Sequence, residues 1–327
     1  MATPIALNIA IADYPHTRAI LDGRIHIEGV TPRFANVVPQ IAAYRRMVRE
    51  VEFDVCELAP TTYIVARAYG KPFTALPIIV SRYFHHGGFV VRPDAGIKVP
   101  KDLEGKKVGV RAYTVTTGVW TRGIFIDDYG LDNSKVTWVV DDEEHVLELK
   151  LPSNVIHAPA GTSLVEMMAK GEIAAGFSGP AGLGRSGAPG ANWEAKSIPA
   201  ASYPELLPNV KDLEAAWYKR TGIYPFHGTI AVKDSVLKQH PWVARSLHKA
   251  FSAAKAEWLA DLAAGKADAA TDKRYRELIP LVGPDPLPYG LAANMPTIRA
   301  LESYAFKQQL IPRRMSVEEL FVDPEKA

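Results

Sequence analysis

Short runs of β-branched and aromatic residues alternate with helix-like segments along most of the chain. This alternation is typical of α/β domains with mostly parallel sheets, because parallel strands need a crossover and the crossover is usually a helix. We predict strands at 5–11, 34–38, 53–58, 89–91, 107–110, 136–140 and 228–232. Helices are predicted at 39–50, 61–69, 117–128, 163–170, 211–221 and 241–262, the last being the longest and rich in strong helix formers.

The length of 327 residues favours two domains, since domains of about 100 to 200 residues are usual. A turn-rich stretch at 93–105 leads into the strand at 107–110, and an irregular Gly/Pro/Ala/Ser-rich region covers 179–208. We therefore expect a discontinuous lobe 1 of residues 1–90 plus 225–327. Residues 91–224 form lobe 2, and the two chain crossings form a hinge.

The charge balance argues against nucleic acid as a partner. The chain has 38 basic and 36 acidic side chains, a formal charge of +2, and no dense Lys/Arg block that follows a phosphate backbone. The single cysteine, Cys56, excludes an intramolecular disulfide and a multi-cysteine zinc site. Cys56 is then either a small buried hydrophobe or a reactive thiol.

The N-terminal sequence MATPIALNIAIADY has no basic n-region and alternates apolar with other residues, which predicts a strand rather than a secretion signal. No stretch approaches the roughly 20 apolar residues of a membrane helix. We expect a cytoplasmic protein without a membrane partner.

Five blocks distributed over nearly the whole chain carry a family resemblance. They are FDVCELAPTTY (53–63), SRYFHHGGFVV (81–91), VGVRAYTVTTGVWTRGIFIDDYG (108–130), PYGLAAN (288–294) and LESYAFKQQLIPRRMSVEELF (301–321). In content and order they resemble the 4,5-dihydroxyphthalate decarboxylase family. The resemblance implies an α/β, two-lobed architecture like that of type II periplasmic binding proteins, with mixed, mostly parallel sheets and a ligand cleft between the lobes.

The resemblance also implies a reaction, the decarboxylation of a hydroxylated aromatic, phthalate-like carboxylic acid to an aromatic monoacid and CO2 without an organic cofactor. Cations such as Arg82 and Arg111 would anchor a carboxylate. Deprotonation of a ring hydroxyl para to the leaving group would raise electron density at the ipso carbon, which then takes up a proton. His86 is the candidate for one proton step and His85 or His227 for the other, because imidazole titrates nearest neutral pH.

The chain departs from the family pattern at three motifs, and the smallest departure is GEIAAG at 171–176, which lacks the acidic residue that commonly follows Gly-Glu-Ile. His85 and His86 stand where the family has an Arg-His pair, so that only Arg82 and His86 match. The sequence YPFHG at 224–228 places His227 one position before the expected histidine, with Gly228 at that position. We therefore expect a substrate that differs from the one in the family name.

The first candidate site follows an apolar run at 75–80, which is predicted to be a central strand. Arg82, His85 and His86 come directly after it, and ligands of open α/β sheets bind beyond the carboxyl ends of strands. The arginine fork matches a carboxylate. The alternative is that Arg82 pairs with an acid such as Glu57 and that one histidine is merely exposed.

The second candidate site lies at the predicted start of a helix and consists of Arg111, Tyr113, Thr114, Thr116 and Thr117. Unpaired N–H groups and a partial positive charge at a helix N-terminus favour anions. The alternative is a simple threonine cap. Trp120 and Arg122, on the following turn, are further candidates for substrate binding, with core packing and solvent exposure as their alternatives.

Two remaining candidates lie at other predicted strand ends. Glu57 can orient a histidine or relay a proton, or it can form a salt bridge to Arg82. Ser178 follows a strand-like segment and is a candidate for the wall of the second lobe.

No organic cofactor and no metal are predicted. His85 and His86 are adjacent rather than at i, i+4, and no HExxH motif occurs, although the sequence leaves a divalent metal open. The glycine-rich stretch at 182–190 lacks a strand-to-helix context, which argues against nicotinamide and ATP. The expected partner is a small aromatic carboxylate, and the sequence leaves a homo-oligomer open. The competing hypothesis is a non-catalytic solute-binding protein for a small aromatic or organic carboxylate, because fold alone does not fix function.

Overall fold

The structure is a computed structural model that describes residues 3–184 and 203–326. Residues 185–202, which make up most of the predicted irregular region at 179–208, lie outside the described residues. The chain divides into two compact units. The first consists of Met1–Tyr83, Phe226–Arg299 and Met315–Ala327, and the second of Phe84–Pro225 and Ala300–Arg314.

Strands and helices alternate through most of the described chain. The strands are β1 (Ile5–Ala10), β2 (Val30–Phe34), β3 (Val55–Leu58), β4 (Phe73–Arg82), β5 (Phe89–Val91), β6 (Lys107–Val110), β7 (Thr137–Val140), β8 (Val155–His157), β9 (Ala175–Phe177) and β10 (Phe226–Lys233). The helices are α1 (Arg18–Leu21), α2 (Gln40–Glu50), α3 (Pro60–Ala68), α4 (Thr116–Tyr129), α5 (Leu164–Lys170), α6 (Val210–Thr221), α7 (Asp234–Gln239), α8 (Trp242–Ala263), α9 (Ala270–Val282), α10 (Leu291–Lys307) and α11 (Val317–Leu320). None of the helices in the described ranges combines the length and apolarity that a bilayer crossing requires.

The first unit is built on a five-stranded sheet in the order β2-β1-β3-β10-β4. β1 pairs in parallel with β2 and β3, whereas β10 is antiparallel to both β3 and β4. Its core joins the sheet to α8, with Val55, Ile78 and Ile230 packing in one buried cluster with Leu247 and Phe251. The 22-residue α8 is the longest helix of those described, as predicted.

The second unit is built on a five-stranded sheet in the order β5-β9-β6-β7-β8. β6, β7, β8 and β9 are parallel, and only β5 runs antiparallel to its neighbour β9. A buried cluster that includes Val139, Leu164 and Ile173 joins this sheet to α5. The mixed, mostly parallel sheets predicted from the alternation are confirmed.

Two strand predictions are wrong in detail. The strand expected at 34–38 lies at Val30–Phe34, where it pairs with β1, and Val38 is 84% exposed. The apolar run at 75–80 belongs to β4, which is an edge strand in the sheet order rather than a central one. β4 is nevertheless almost entirely buried, and Ala75 forms a β-bridge to Phe321 on its outer edge.

The C-terminal segment differs from the predicted lobe 1 assignment. Residues 300–314 belong to the second unit, where Tyr304 packs edge-on against Trp120 and Gln308 accepts a hydrogen bond from Arg122. Gly123 permits this packing, because a Cβ at that position would overlap the Tyr304 ring. The contacts explain why a segment so late in the chain is part of the unit that contains α4.

Gly123→Ala is expected to destabilise the protein by about 1–3 kcal/mol, because the added methyl overpacks against the buried Tyr304 ring. Urea unfolding followed by circular dichroism measures this free energy. The same substitution in a Tyr304→Ala background is the control. There the methyl has room, and the higher helix propensity of alanine is expected to make the change neutral or stabilising. An equal cost in both backgrounds would contradict the proposed contact.

Candidate active site

Polar side chains gather at the carboxyl edge of the sheet in the first unit. Glu57 is the second-last residue of β3, and Arg82 ends β4. Because β10 runs antiparallel, its beginning lies at the same edge, with Phe226 opposite Arg82 and His227 next to it. Ligands bind at this edge in open α/β sheets, and in the first unit it holds Glu57, Arg82 and His227.

Glu57 is the acidic centre of this edge and is only 1% exposed. Its Oε1 accepts hydrogen bonds from the Tyr14 hydroxyl (2.7 Å) and the Tyr44 hydroxyl (2.8 Å), and its Oε2 accepts one from the Ala12 N–H (3.1 Å). The pKa of Glu57 lies above its ordinary value, because the effect of burial exceeds the lowering effect of these three hydrogen bonds. The alternative of a salt bridge to Arg82 is wrong, because in the described chain the carboxylate takes neutral donors instead.

Arg82 is 1% exposed and is fixed by the segment before α10. Its Nη2 donates to the Pro288 carbonyl (3.3 Å), and its backbone N–H donates to the Tyr275 hydroxyl (3.1 Å). Asn294 donates from Nδ2 to the carbonyls of Pro288 (3.1 Å) and Gly290 (2.7 Å). The block PYGLAAN therefore forms a braced turn that holds the arginine.

Tyr83 and His227 form a contact pair beside Arg82. Their rings lie 4.4 Å apart between centroids, and the Tyr83 hydroxyl lies 2.7 Å from Nε2 of His227. The Arg274 guanidinium lies 5.2 Å from the Tyr83 ring centroid, within cation–π range. A tyrosine–imidazole hydrogen bond of this kind can transfer a proton between the two side chains.

Arg111 follows β6 at the carboxyl edge of the sheet in the second unit. Its Nη1 lies 3.8 Å from Oδ2 of Asp142, and both side chains are at least nine-tenths buried. The backbone N–H groups of Asp141 and Asp142 both donate to the Arg111 carbonyl. Asp142, which sequence reasoning did not select, thus orients Arg111.

Helix α4 begins at Thr116, with Thr117 as its second residue. The alternative of a threonine at the N-cap position is wrong, because Val115 is the N-cap residue and Thr116 and Thr117 are the first two residues of the helix. Directly before the helix, Glu144 accepts hydrogen bonds from the N–H of Tyr113 (2.6 Å) and of Thr114 (3.2 Å) and from the Thr114 hydroxyl. Part of the predicted anion site is therefore filled by a carboxylate of the protein itself.

Trp120 and Arg122 are both fully buried. Arg122 donates from Nε to Oε1 of Gln308 (2.7 Å) and from Nη2 to the Tyr113 carbonyl, and its guanidinium lies 4.0 Å from the Tyr113 ring centroid. Burial lowers its pKa to about 10. Core packing of Trp120 is confirmed, and the alternative of a solvent-exposed Arg122 is wrong.

His85 and His86 are both buried in the second unit, so the alternative that one of them is exposed is wrong. The His85 ring stacks on Trp120 with 6.3 Å between centroids, and its carbonyl accepts from the Thr121 hydroxyl (2.9 Å). The His86 ring packs edge-on against Trp217 at 5.2 Å. Burial lowers the pKa of His86 to about 4, so this imidazole is neutral near pH 7.

Ser178 directly follows β9 and donates from Oγ to the Gly88 carbonyl (3.1 Å). Near this segment lies Glu214 of α6, which accepts hydrogen bonds from the backbone N–H groups of His86 and Gly87. Burial raises the pKa of Glu214 to about 7, despite these hydrogen bonds. Glu214 is a further group that the sequence did not reveal.

No group of three His, Cys, Asp or Glu side chains is arranged to hold a metal ion within the described ranges. Cys56 is fully buried in β3, and burial raises the pKa of its thiol. The interpretation of Cys56 as a small buried hydrophobe is the one that this position supports.

A relative covers nearly the whole chain. The 4,5-dihydroxyphthalate decarboxylase of Comamonas testosteroni is 33% identical over 332 residues, which is 97% of this chain and 96% of the relative. The chain belongs to the 4,5-dihydroxyphthalate decarboxylase family. The family membership predicted from the five sequence blocks is thereby confirmed.

Two further similarities agree with the membership of this chain in the 4,5-dihydroxyphthalate decarboxylase family. The 4,5-dihydroxyphthalate decarboxylase of Pseudomonas putida is 38% identical over 175 residues, covering 51% of this chain and 67% of the relative. Residues 19–183 match the family model described as "ABC transporter, phosphonate, periplasmic substrate-binding protein".

The fold is shared with solved structures at low sequence identity. The periplasmic aliphatic sulphonate binding protein SsuA from Escherichia coli matches with a TM-score of 0.52 at 12% identity, covering 98% of this chain and 93% of that protein. The α/β architecture of the type II periplasmic-binding-protein class, predicted for this member of the 4,5-dihydroxyphthalate decarboxylase family, is confirmed.

Proposed function

We propose that this protein is a carboxy-lyase that converts a hydroxylated aromatic, phthalate-like carboxylic acid to an aromatic monoacid and CO2. The observation that carries the proposal is the 33% identity, over 97% of the chain, to a relative named 4,5-dihydroxyphthalate decarboxylase. The polar edge of the first unit supports it, because that edge holds a buried cation, a buried carboxylate and a tyrosine–histidine pair.

Arg82 is the proposed anchor of the substrate carboxylate in the first unit. A guanidinium offers two parallel N–H groups to a carboxylate, and such charge-assisted hydrogen bonds are stronger in a buried setting than in water. The hydrogen bond from Nη2 to the Pro288 carbonyl fixes the orientation of the fork. Because the Arg82 side chain is already ordered, binding of the anion costs little additional conformational entropy.

Two groups of the first unit are proposed for the proton steps. Glu57 accepts the proton of a ring hydroxyl, and the Tyr83–His227 pair delivers a proton to the ring carbon that loses CO2. The 2.7 Å contact between the Tyr83 hydroxyl and Nε2 of His227 supports this assignment, because it links two groups that exchange protons readily.

Within the second unit, the groups proposed to bind a ligand are Arg111, Thr116, Thr117 and Ser178. His86, which is neutral near pH 7, is proposed as a hydrogen-bonding group for the ligand, since the ring-hydroxyl proton is assigned to Glu57. Trp120 and Arg122 are proposed to act indirectly, since they pack against His85 and against Tyr113 and Gln308.

The second candidate function is binding of a small organic anion without catalysis. The match of residues 19–183 to a family of periplasmic substrate-binding proteins favours it. A binding protein needs the anion-binding groups but no proton donor. The two candidate functions therefore differ in whether bound ligand is turned over.

Purified protein incubated with 4,5-dihydroxyphthalate and with hydroxylated and unsubstituted aromatic acids is expected to release CO2 from at least one hydroxylated acid. Manometry or a coupled assay measures CO2 release in the presence and absence of a chelator. Calorimetry measures the binding of the same acids. Acids that lack a ring hydroxyl are the control and are expected to bind without turnover. Tight binding of the hydroxylated acids with no CO2 from any of them would refute the carboxy-lyase and favour the binding protein.

A further inference from the structure

Two tyrosines contact one oxygen of the buried Glu57 carboxylate. We propose that Tyr14 and Tyr44 are positioning residues that hold Glu57 as the acceptor of the substrate's ring-hydroxyl proton. This inference rests on the proposed function, since it assigns the proton acceptor of that reaction.

The cluster is assembled from three neighbouring parts of the first unit. Tyr14 lies in the loop after β1, Tyr44 lies in α2 after β2, and Glu57 lies in β3. β1 pairs in parallel with both β2 and β3, so the three strands end at the same edge of the sheet. The segments that follow the strands therefore lie at that edge. The contact between residues that are 43 and 13 positions apart in sequence is a product of this sheet order.

The Tyr14 side chain is itself held in place. Its ring stacks on the buried His16 ring with 5.2 Å between centroids and 3° between planes. Its backbone N–H donates to the Thr17 hydroxyl (2.9 Å), and that hydroxyl donates to the Ala12 carbonyl (2.8 Å). Thr17 is fully buried. The loop therefore presents the Tyr14 hydroxyl to Glu57 in one orientation.

Both tyrosines stay protonated at working pH. Burial, followed by the charge of Glu57, raises the pKa of each phenol well above its ordinary value. A phenol that keeps its proton can only donate to a carboxylate. Tyr14 and Tyr44 therefore favour the ionised form of Glu57 against the opposing effect of burial, and an ionised carboxylate is what a proton acceptor requires.

The hydrogen bonds also define which oxygen receives the proton. A carboxylate has about four acceptor positions, two on each oxygen. The two tyrosine hydroxyls occupy both positions of Oε1, and the Ala12 N–H occupies one on Oε2. Oε2 is thus the oxygen with capacity for a hydroxyl of the substrate.

The space next to the carboxylate is set by Gly228 of β10. A Cβ at this position would lie 3.3 Å from Oε1 of Glu57 and 2.7 Å from Cγ2 of Val80. A larger residue would therefore displace Val80 or press against the carboxylate. Gly228 preserves the geometry in which the two tyrosines reach Oε1.

The proton balance of the reaction follows from this assignment. The ring O–H bond breaks and its proton moves to Oε2 of Glu57, which leaves a phenolate. The ipso carbon takes a proton from the donor, the bond to the carboxylate breaks, and CO2 leaves. The electron pair of that bond restores the aromatic ring, and Glu57 returns its proton to the phenolate oxygen. One proton is consumed per turnover, and the donor regains it from solvent.

Tyr14→Phe and Tyr44→Phe are expected to move the acidic limb of the kcat/KM profile to higher pH by about one pH unit, because each removes a hydrogen bond to the charged form of Glu57. The shift is expected to be larger for Tyr14→Phe, since its hydrogen bond lowers the pKa of Glu57 more than that of Tyr44 does. The ionisable groups in contact with Glu57 or next to it are Tyr14, Tyr44 and the Cys56 thiol. Tyr83 and Tyr275 act on Tyr14, and Arg82 and His227 lie at the same sheet edge, so the profile must be assigned against all of these groups.

Tyr69→Phe is the matched control, because it removes a hydroxyl of the same unit outside the cluster, and its profile is expected to match the unmodified protein. A second measurement uses no substrate. Infrared difference spectra between low and high pH contain the C=O band of a protonated carboxyl, and the band that disappears in Glu57→Gln belongs to Glu57. Its midpoint is expected to rise in Tyr14→Phe and in Tyr44→Phe.

The two measurements separate the inference from the proposed function. An unmoved Glu57 midpoint in both phenylalanine variants would overturn the positioning role, whether or not CO2 is released. A raised midpoint with an unmoved kcat/KM limb would overturn Glu57 as the proton acceptor. A raised midpoint in a protein that releases no CO2 from any acid would refute the decarboxylase and leave only a tuned carboxylate.

Discussion

Arg82→Met is expected to lower kcat/KM for the hydroxylated aromatic acid by about 10- to 150-fold, because a charge-assisted hydrogen bond contributes about 1.5–3 kcal/mol. The loss is expected in KM and in the ligand Kd as well as in kcat, because the carboxylate contact exists before the reaction begins. Steady-state kinetics and calorimetry measure the two effects.

The comparison with two other variants isolates the cause. Arg82→Lys keeps the charge but lacks the planar fork, so an intermediate loss is expected. Arg18→Met removes an exposed arginine that pairs with Asp13 and is expected to leave both constants unchanged. Circular dichroism checks that the Arg82 variants are folded, since the Pro288 contact is also lost. Unchanged binding and turnover in folded Arg82→Met would remove this residue from the site.

Glu57→Gln is expected to lower kcat by about 10²–10⁴-fold, the range in which a general base contributes to catalysis. The amide has nearly the same shape as the carboxylate and its oxygen still accepts from Tyr14 and Tyr44, but it takes up no proton near neutral pH. Ligand affinity is expected to change less than kcat. Single-turnover measurements with saturating acid separate the chemical step from binding.

Glu28→Gln is the control for this substitution, because Glu28 is an exposed acid of the same unit that pairs with Lys249. Its kinetics are expected to equal those of the unmodified protein. If Glu57→Gln released CO2 at the normal rate and with the normal pH profile, the assignment of Glu57 as proton acceptor would be lost and its role would be structural.

Much of the fold follows from local pattern, and its exceptions have local causes. Some segments are apolar or periodic enough for the local sequence to predict them directly, namely the strands at 89–91 and 107–110 and the helix at 211–221. β2 contains Pro32 and Arg33, which interrupt the alternation of apolar and polar residues, and the local pattern therefore favours 34–38 instead. Helices α9 and α10 contain Pro280 and Pro296, residues that normally end a helix, and both helices were missed.

The candidate site was predictable only in part, because a strand end fixes where a residue lies but not what it contacts. Glu57 and Arg82 were selected from their places after apolar runs. Their partners Tyr14, Tyr44 and Pro288 belong to segments that are distant in sequence, and no local pattern relates those segments to Glu57 or Arg82. The acidic run DDEEH at 141–145 follows the strand predicted at 136–140, so the rule of strand ends could have indicated Asp142 and Glu144.

The order of strands in the first sheet has a consequence for synthesis on the ribosome. β10 lies between β3 and β4, yet about 140 residues separate it from the end of β4. Until that late strand has emerged, β3 and β4 each lack a neighbour, and such open strand edges readily pair with other chains. The second unit is likewise incomplete until residues 300–314 are made. Neither unit can therefore finish folding until nearly the whole chain has left the exit tunnel, and both stay incomplete during most of synthesis.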